Sequence, residues 1–425
     1  MHKIQKLKNN ATLITVPVVG TEATTVLVLF PVGSRYENEK LSGASHFVEH
    51  LMFKGTVKRP NAQDVARTVE EHGAEYNAFT SKDFTGYYIK IDHAQIKIAF
   101  DLLSDMLFHS KFDPKEIERE RGVIVEELRM YEDNPTMAVD QLFDRILFPN
   151  NPLGRDVGGV KQTVRAMTRT ELFQYYKKAY RPENTVVVVA GKIKESEAKN
   201  LACVFEKETD KQPTNFDWEK FEKFSWPKNI LLKNRVAVST RTVDQTHIIL
   251  GFPGLPNNHK DRYTLGVLLN ILGGGMTSRL FVEVRERRGL AYMVRAGGVS
   301  YRDVGVVQIQ SGLDSARLKE AVKVIKNELK KISTKKVSAK ELASAKTNIL
   351  GRLTLALEDS SFQADWFAKQ FWFSNKIETY EDLKKHVNKV TVADVLRLAK
   401  KLFDWKQVRV AAIGPLKKDQ IIKMI

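Results

Sequence analysis

The chain has 425 residues, of which 43% are hydrophobic and 28% charged. This composition suits two or three globular domains and excludes disordered, collagen-like and disulfide-stapled proteins. The net charge of +17 first suggests a nucleic-acid or anionic-surface partner. Residues 1–200 carry 28 basic and 27 acidic residues, whereas residues 201–425 carry 40 and 24. The basic excess therefore lies in the second half, and the two halves are expected to differ electrostatically.

The segment that begins the sequence and the single cysteine bear on the compartment. Cys203 has no second cysteine with which to form an intrachain disulfide, which fits a reducing compartment. Residues 1–18 lack the apolar stretch and the cleavage site of a secretory signal. No apolar run reaches 18 residues, so no membrane span is predicted. We expect a soluble, cytoplasmic protein.

Short β-branched runs alternate with longer amphipathic segments in the first half of the chain. The predicted strands are 11–19, 24–32, 75–80, 84–91 and 185–191. The predicted helices are 40–54, 61–73, 94–109, 114–133 and 168–179. Asp113 followed by Pro114 is typical of a helix start. Residues 207–228 are polar, contain two prolines and lack a clear period, and they are predicted to be a linker.

The order of elements returns after this linker, and a helix at 391–402 again leads into an apolar strand. The matching landmarks and their offsets are Gly191 and Gly414 (223), Thr168 and Thr391 (223), and Glu116 and Glu341 (225). The nearly constant offset indicates a duplication. Paired strands mixed with runs of helices indicate an α+β fold rather than a doubly wound sheet. The predicted domains are 1–206 and 229–425, joined by the linker at 207–228.

A candidate metal motif, His46-Phe47-Val48-Glu49-His50, lies on the predicted helix 40–54. His46 and His50 are four residues apart, so both imidazoles leave one face of the helix and can bind one Zn²⁺. Glu49 projects beside that face, where the general base for a zinc-activated water has to lie. This H-x-x-E-H order is the inverzincin signature. The alternative is a helix with two solvated histidines.

A third ligand is expected from the helix 114–133, because catalytic zinc commonly has three protein ligands. Glu120 and Glu127 are seven residues apart and share a face, so one can ligate while the other orients a ligating histidine. The alternative is a solvated acidic face, which alone would account for the whole cluster. Its members are Glu116, Glu118, Glu120, Glu126, Glu127 and Glu132.

These residues resemble the pitrilysin-type zinc metallopeptidases, which include insulin-degrading enzyme and the mitochondrial processing peptidase. In that family, H-x-x-E-H is followed by 76 residues and a glutamate, and the same count from His50 reaches Glu127. The contexts GASHFVEHLMFKGT and RGVIVEELRMYEDNP are also similar. The resemblance implies two homologous domains, each with a mixed, largely antiparallel sheet packed with helices. It implies His46, His50 and Glu127 as zinc ligands, Glu49 as general base and Glu120 as supporting acid.

Two further segments resemble the family. GGGMTSRLFVEVRERRGLAY (273–292) is similar to the second-half motif, which implies that Arg285 and Tyr292 hold the substrate backbone, with the tyrosine near the developing oxyanion. Without the motif, Arg285 would be interpreted as part of a basic surface helix. EYNAFTSKDFTGYY (75–88) resembles the edge strand that pairs with bound peptide. This implies Asn77, Ala78 and Phe79 as substrate-binding residues; a plain hairpin strand is the alternative.

The resemblance implies a zinc endopeptidase with one Zn²⁺ per chain, because the second repeat has no H-x-x-E-H. It implies a half-size, bacterial-type member that closes as a homodimeric clamshell around short or unfolded peptides. Arg285 and Tyr292 of one chain would then face the zinc of the other. A heterodimer is the alternative assembly. The rival functions are a catalytically silent subunit, like the core subunits of a respiratory complex, and a basic nucleic-acid-binding protein. No nucleic-acid-binding motif supports the latter, so nucleic acid is not expected as a partner. Because no membrane span is predicted, a membrane is not expected as a partner either.

Overall fold

The computed structural model describes residues 2–208, 217–227, 230–374 and 376–425. The chain forms two compact units, each assembled from three segments. The first unit consists of Met1–Arg129, Arg155–Glu222 and Leu355–Ile377. The second unit consists of Met130–Gly154, Lys223–Thr354 and Glu378–Ile425.

The first unit is built on a six-stranded sheet in the order β1-β2-β6-β3-β5-β4. The strands are β1 (Lys3–Lys6), β2 (Thr12–Pro17), β3 (Ala23–Phe30), β4 (Glu75–Thr80), β5 (Thr85–Asp92) and β6 (Val186–Gly191). Strands β2 and β6 are parallel, and the other neighbours are antiparallel. Strand β1 was not predicted from the sequence; the other five lie within two residues of their predicted bounds.

Both faces of this sheet are buried, which explains why its central strands are continuously apolar. Val26 and Val28 of β3 face a core that contains Phe47 and Phe100. Leu27 of the same strand faces the opposite core, together with Trp372. The helices assigned to this unit, in whole or for most of their length, are α1 (Ala44–Met52), α2 (Ala62–Glu70), α3 (Ile96–Phe108), α4 (Pro114–Asp133), α6 (Lys161–Ala166), α7 (Arg169–Ala179), α8 (Glu195–Leu201), α9 (Cys203–Glu206) and α13 (Ser360–Ser374).

The second unit has a five-stranded sheet in the order β7-β11-β8-β10-β9. The strands are β7 (Val236–Thr240), β8 (Gln245–Pro253), β9 (Ala291–Ser300), β10 (Gly305–Asp314) and β11 (Arg409–Gly414). Strands β7 and β11 are parallel, and the others are antiparallel. This order repeats that of β2, β6, β3, β5 and β4 in the first unit. The predicted α+β class with two mixed, largely antiparallel sheets is confirmed.

The helices of the second unit again cover both faces of their sheet. Val139, Phe143 and Leu147 pack with Ile249 and Ala411 on one face, and a larger cluster fills the other face. The helices are α5 (Pro135–Leu147), α10 (Arg262–Gly273), α11 (Leu318–Thr334), α12 (Ala339–Ala356), α14 (Tyr380–Lys389), α15 (Val392–Leu402) and α16 (Lys418–Ile422). None of the helices in the described ranges combines the length and apolar character that crossing a membrane requires.

One pair of landmarks of the duplication, Thr168 and Thr391, has the same local structure. Thr168 and Thr391 both begin a helix through a capping box, with Glu171 and Asp394 respectively as the reciprocal partners. Each box satisfies backbone donors that would otherwise be unpaired at the helix start. The two helices therefore begin at equivalent positions for the same physical reason.

The compact units depart from the predicted contiguous domains, 1–206 and 229–425, at two segments. Helix α5 belongs to the first half of the sequence but packs on the sheet of the second unit. Helix α13 belongs to the second half but packs on the sheet of the first unit. Each sheet has a second apolar face that must be covered, and an exchanged helix covers it. The boundaries of the repeat itself stay a prediction.

The predicted linker, 207–228, contains residues that pack into both units; its residues 209–216 and 228 lie outside the described ranges. Trp218 packs on Trp372 in the first unit, with ring centroids 4.5 Å apart. Phe224 and Trp226 pack on Phe148 in the second unit, with centroids 4.9 and 5.8 Å apart. The described part of this segment is thus anchored by aromatic contacts rather than solvated along its length.

The packing of α5 on β8 predicts a large difference between two Gly→Ala substitutions. A Cβ at Gly251 would lie 2.0 Å from Phe143 Cζ, and Phe143 is only 1% exposed. Gly251→Ala is therefore expected to destabilise by about 1–3 kcal/mol through overpacking. Gly122→Ala on α4, where a Cβ meets nothing within 4 Å, is expected to be neutral or to stabilise by up to about 1 kcal/mol. Urea unfolding midpoints test this, and equal midpoints would contradict it.

Candidate metal centre

The helix that carries the metal motif has a fixed starting point. The sequence predicted a helix from residue 40, but α1 begins at Ala44 because Gly43 adopts φ 97° and interrupts it. A Cβ at Gly43 would lie 2.5 Å from the Gly158 carbonyl oxygen, so glycine is required there. The backbone N–H groups of Gly43 and Ser45 each donate to the buried Glu37 carboxylate at 2.7 Å. Burial raises the pKa of Glu37 to about 7, against the lowering effect of these donors.

Two histidines on α1 and one glutamate on α4 converge. His46 Nε2 lies 3.6 Å from Glu127 Oε2, and His50 Nε2 lies 3.5 Å from the same oxygen. One ligand atom from each residue falls within 4.8 Å of the others. Within the part of the chain that the structure describes, this is the one group of three or more His, Cys, Asp or Glu side chains that could hold a metal ion.

The donor set fits zinc. Two imidazole nitrogens and one carboxylate oxygen are the protein ligands of a common type of catalytic zinc site. All three side chains are partly exposed, so a water or substrate atom can approach as a fourth ligand. The contacts match those that the resemblance implies, and the roles of the three residues as ligands stay predictions.

Glu120 lies behind His50. Its Oε2 is 3.1 Å from His50 Nδ1, and its Oε1 is 2.7 Å from Lys54 Nζ. This contact orients the imidazole so that Nε2 faces His46 and Glu127, as carboxylates commonly do for ligating histidines. The buried Glu120 is thereby distinguished from the exposed acids of α4. Lys54 was not predicted as part of the site, although it lies within the segment GASHFVEHLMFKGT that resembles the family.

The two histidines differ in proton affinity. Burial and the adjacent His50 lower the pKa of His46 to about 4, so its ring is neutral at physiological pH. Burial alone would lower the pKa of His50, but its hydrogen bonds to Glu120 and Glu127 outweigh burial and raise that pKa to about 9. Burial alone would raise the pKa of Glu120, but its hydrogen bonds with His50 and Lys54 outweigh burial and lower that pKa. A metal ion bound by His50 would therefore have to displace a proton.

Glu49 faces a pocket beside the triad. Thr80 Oγ1, at the end of β4, donates a hydrogen bond to Glu49 Oε2. Burial raises the pKa of Glu49, opposed by this hydrogen bond. The pocket is also lined by His50, Tyr76 and Asn77. Thr80 was not predicted; its position directly after Phe79, on the strand that resembles the substrate edge, was the available signal.

The predicted substrate strand is an edge strand. Among the described strands, β4 pairs only with β5 and leaves its other edge open. Asn77 is exposed, and its side chain accepts from the Ala78 N–H at 2.8 Å. Phe79 packs on Phe84, with ring centroids 6.0 Å apart. Of the three predicted residues, Asn77 therefore presents its side chain to the pocket, whereas the Phe79 ring serves packing.

Arg285 and Tyr292 lie in the second unit. Arg285 is on a π-helical turn (Phe281–Glu286), and its Cζ lies 4.9 Å from the centre of the Tyr292 ring. Tyr292 is 73% exposed. The neighbouring Arg287 and Arg288 both pair with Glu283, whereas Arg285 pairs with no carboxylate in the described ranges. This difference separates Arg285 from an ordinary basic helix face; the substrate roles of the pair stay predictions.

Comparison with known proteins gives matches along most of the chain. Residues 16–160 match the model of the insulinase family (peptidase family M16), and residues 166–349 match that of the "Peptidase M16 inactive domain". An uncharacterized zinc protease of Streptomyces coelicolor is 34% identical over 92% of this chain and 85% of its own length. The uncharacterized zinc protease YmxG of Bacillus subtilis is 33% identical over 96% and 95%.

A solved structure has a similar fold along nearly the whole chain. A protease from Helicobacter pylori superposes with a TM-score of 0.89 at 25% identity, covering 98% of this chain and 99% of that one. These matches confirm the resemblance to the pitrilysin-type peptidases: the chain belongs to peptidase family M16.

Adjacent glutamates on α4 provide a matched test of the centre. Glu127→Gln removes the carboxylate that both histidines approach, so Zn²⁺ affinity measured by equilibrium dialysis should fall at least tenfold. Glu126 points away and pairs with Arg129 at 2.5 Å, so Glu126→Gln should bind Zn²⁺ like the unaltered protein. Equal losses in both variants would contradict the assignment.

Proposed function

We propose that this protein is a zinc-dependent endopeptidase that cleaves short or unfolded peptides, with Glu49 as general base. The convergence of His46, His50 and Glu127 on one point, with Glu49 beside it, carries the proposal. Membership of peptidase family M16 and relatives named as zinc proteases support it. The proposed ligands are these two histidines and Glu127, with one Zn²⁺ per chain.

Each residue of the centre then has a distinct task. The chemistry that Zn²⁺ supplies when bound is polarisation of the scissile carbonyl and acidification of the attacking water. Glu49 accepts the proton of that water and passes it to the leaving amine, and its raised pKa suits both transfers. Thr80 restricts the rotamer of the Glu49 carboxylate. Glu120 holds His50 in the tautomer that presents Nε2.

The open edge of β4 supports strand addition as the mode of peptide binding. Backbone pairing requires an extended segment, which short or unfolded peptides offer and folded domains do not. The Asn77 side chain would contact the peptide, and Ala78 and Phe79 would contribute through their backbone. Efficient cleavage of a native folded domain would contradict this preference for short or unfolded peptides.

We further propose a cytoplasmic homodimer that encloses the substrate, in which Arg285 and Tyr292 of one copy contact peptide bound at the zinc of the other. The exposed Tyr292 phenol and the Arg285 guanidinium, which pairs with no carboxylate among the described residues, are suitable donors to a substrate carbonyl and a developing oxyanion. Mixing a Glu49→Gln copy with a Tyr292→Phe copy tests this arrangement. Recovered activity supports contribution in trans, and its absence contradicts it.

A catalytically silent assembly subunit is the second candidate, and the family description of residues 166–349 as an inactive domain bears on it. That description concerns the half without H-x-x-E-H, whereas the motif and its surrounding contacts are intact in the first unit. The intact set therefore favours the peptidase.

The general-base assignment predicts a loss of turnover without loss of metal. Glu49→Gln should keep about one Zn²⁺ per chain but lower kcat on unstructured peptides by about 10²–10⁴-fold, the usual contribution of general-base catalysis. Glu71→Gln, which changes an exposed carboxylate outside the site, is the control. Full activity in Glu49→Gln would contradict the assignment of Glu49 as general base. An inactive wild-type protein with bound zinc would favour the catalytically silent subunit.

The bond from Thr80 predicts a smaller, separable effect. Thr80→Val keeps the shape of the side chain but removes the hydroxyl, so kcat should fall about tenfold while KM and zinc content stay unchanged. Thr80→Ser retains the hydroxyl and should retain most of the activity. Equal turnover of the Val and Ser variants would show that Thr80 does not position Glu49.

A further inference from the structure

Helix α11 carries a line of lysines on its outer side. Four lysines follow one another at spacings of four, three and four residues: Lys319, Lys323, Lys326 and Lys330. These spacings place them on one face of the helix over about 16 Å. Lys326 is partly buried and the other three are exposed. Ile325 and Ile332, on the opposite side, are buried in the core of the second unit, which keeps the lysines turned outwards.

The corresponding helix of the first unit, α3, shows that the fold does not require this charge. Each of the two helices begins four residues after an aspartate, Asp92 or Asp314, that caps the turn after a strand. The four lysine positions of α11 correspond on α3 to Lys97, Asp101, Ser104 and Phe108. The line of lysines is therefore a feature of α11 and not of the shared architecture.

Two further exposed lysines lie on the segment beside α11. Ser333 Oγ donates to the Ala399 carbonyl oxygen at 3.2 Å, and Lys326 Nζ lies 4.6 Å from the centre of the Trp405 ring. Residues 399–406 therefore run alongside α11 in the opposite direction, and the two lysines on this segment are exposed. We call six residues together the lysine face: Lys319, Lys323, Lys326, Lys330, Lys400 and Lys406.

The lysine face lacks counter-charges within the part of the chain that the structure describes, because none of its six side chains forms an ion pair with a carboxylate there. Two acids next to it in the sequence are engaged elsewhere. Glu320 pairs with Arg317 at 3.1 Å, and Asp404 accepts from the Lys406 backbone N–H at 2.9 Å. Like charges four residues apart on a helix repel each other, so this face is suited to a partner that carries many negative charges.

The chemistry of the lysine face favours lipid headgroups over nucleic acid as that partner. All six cations are ammonium groups, whereas bidentate recognition of phosphates is a property of arginine. Trp405 offers no stacking platform for a base, because its ring packs on Lys326 and on the buried Phe252, with 5.9 Å between the two ring centroids. Attraction between lysines and an anionic surface needs neither of these features.

We propose that the lysine face holds the protein on anionic phospholipid bilayers. The Ile425 carbonyl oxygen accepts from Lys326 at 3.3 Å, which brings the partly exposed apolar residues Ile422 and Met424 close to the face. Cations beside partly exposed apolar groups are typical of a surface that rests on an anionic bilayer. This contact needs no membrane-spanning helix, so it departs from the expectation that a membrane is not a partner. The proposal stands independently of the peptidase assignment.

Co-sedimentation with vesicles tests the charge dependence. The full-length protein is mixed with vesicles of phosphatidylcholine and phosphatidylglycerol in about a 2:1 ratio, or of phosphatidylcholine alone. We expect binding to the anionic vesicles to be at least tenfold stronger and to be lost at high salt, which screens exposed charges. Equal binding to the two kinds of vesicle, or binding to neither, would overturn the proposal.

Charge reversals locate the site. Lys319→Glu combined with Lys323→Glu should weaken binding to the anionic vesicles at least tenfold. Lys97→Glu combined with Lys199→Glu changes the net charge equally at exposed positions of the first unit and should bind like the unaltered protein. Equal losses in the two double variants would overturn the proposed location. If the anionic vesicles are not bound but a uridine-only RNA is, and the Lys319/Lys323 variant loses that RNA, the partner is nucleic acid and not a bilayer.

Discussion

The register between helices α1 and α4 determines which side chains meet at the candidate metal centre. Glu120 and Glu127 are two turns apart on α4, and they reach opposite nitrogens of the same His50 ring. A shift of α4 by one residue would rotate both carboxylates by about 100° and leave His50 without either. The buried bonds of Glu120 to His50 and Lys54 oppose such a shift, because breaking them would leave a charge buried without a partner. The start of α1 is fixed independently by Gly43 and the Glu37 carboxylate.

Much of the local structure could be predicted because its causes are local. The capping box at Thr168 and the Asp113-Pro114 start depend on residues within one turn, and both helices begin where predicted. The same holds for the i,i+4 spacing of His46 and His50. Glu127 could not be selected as the third ligand from local sequence alone. The helical period shows only that Glu120 and Glu127 share a face of α4, and the resemblance to the pitrilysin-type peptidases was needed to select Glu127 from six glutamates.

The features that could not be predicted depend on contacts between residues distant in the sequence. The local sequence places Thr80 on the strand that resembles the substrate edge, but it does not show that the Thr80 hydroxyl reaches Glu49, 31 residues earlier. The sequence likewise did not show which sheet α5 and α13 pack on, because an apolar helix face does not specify the sheet that it covers. The strand β1 is short and polar, with the sequence KIQK, so neither alternation nor β-branched content marks it.

The exchange of α5 and α13 has a consequence for the order in which the chain can fold. The second face of the first sheet, formed by residues such as Leu27 and Val188, is covered by residues 364–372. During synthesis those residues emerge only after most of the chain has been made. Until then the nearly complete first half exposes an apolar sheet face, a surface prone to aggregation. We therefore expect that a chain cut between its two halves would leave this face of the first sheet uncovered, because the helix that covers it lies in the second half of the sequence.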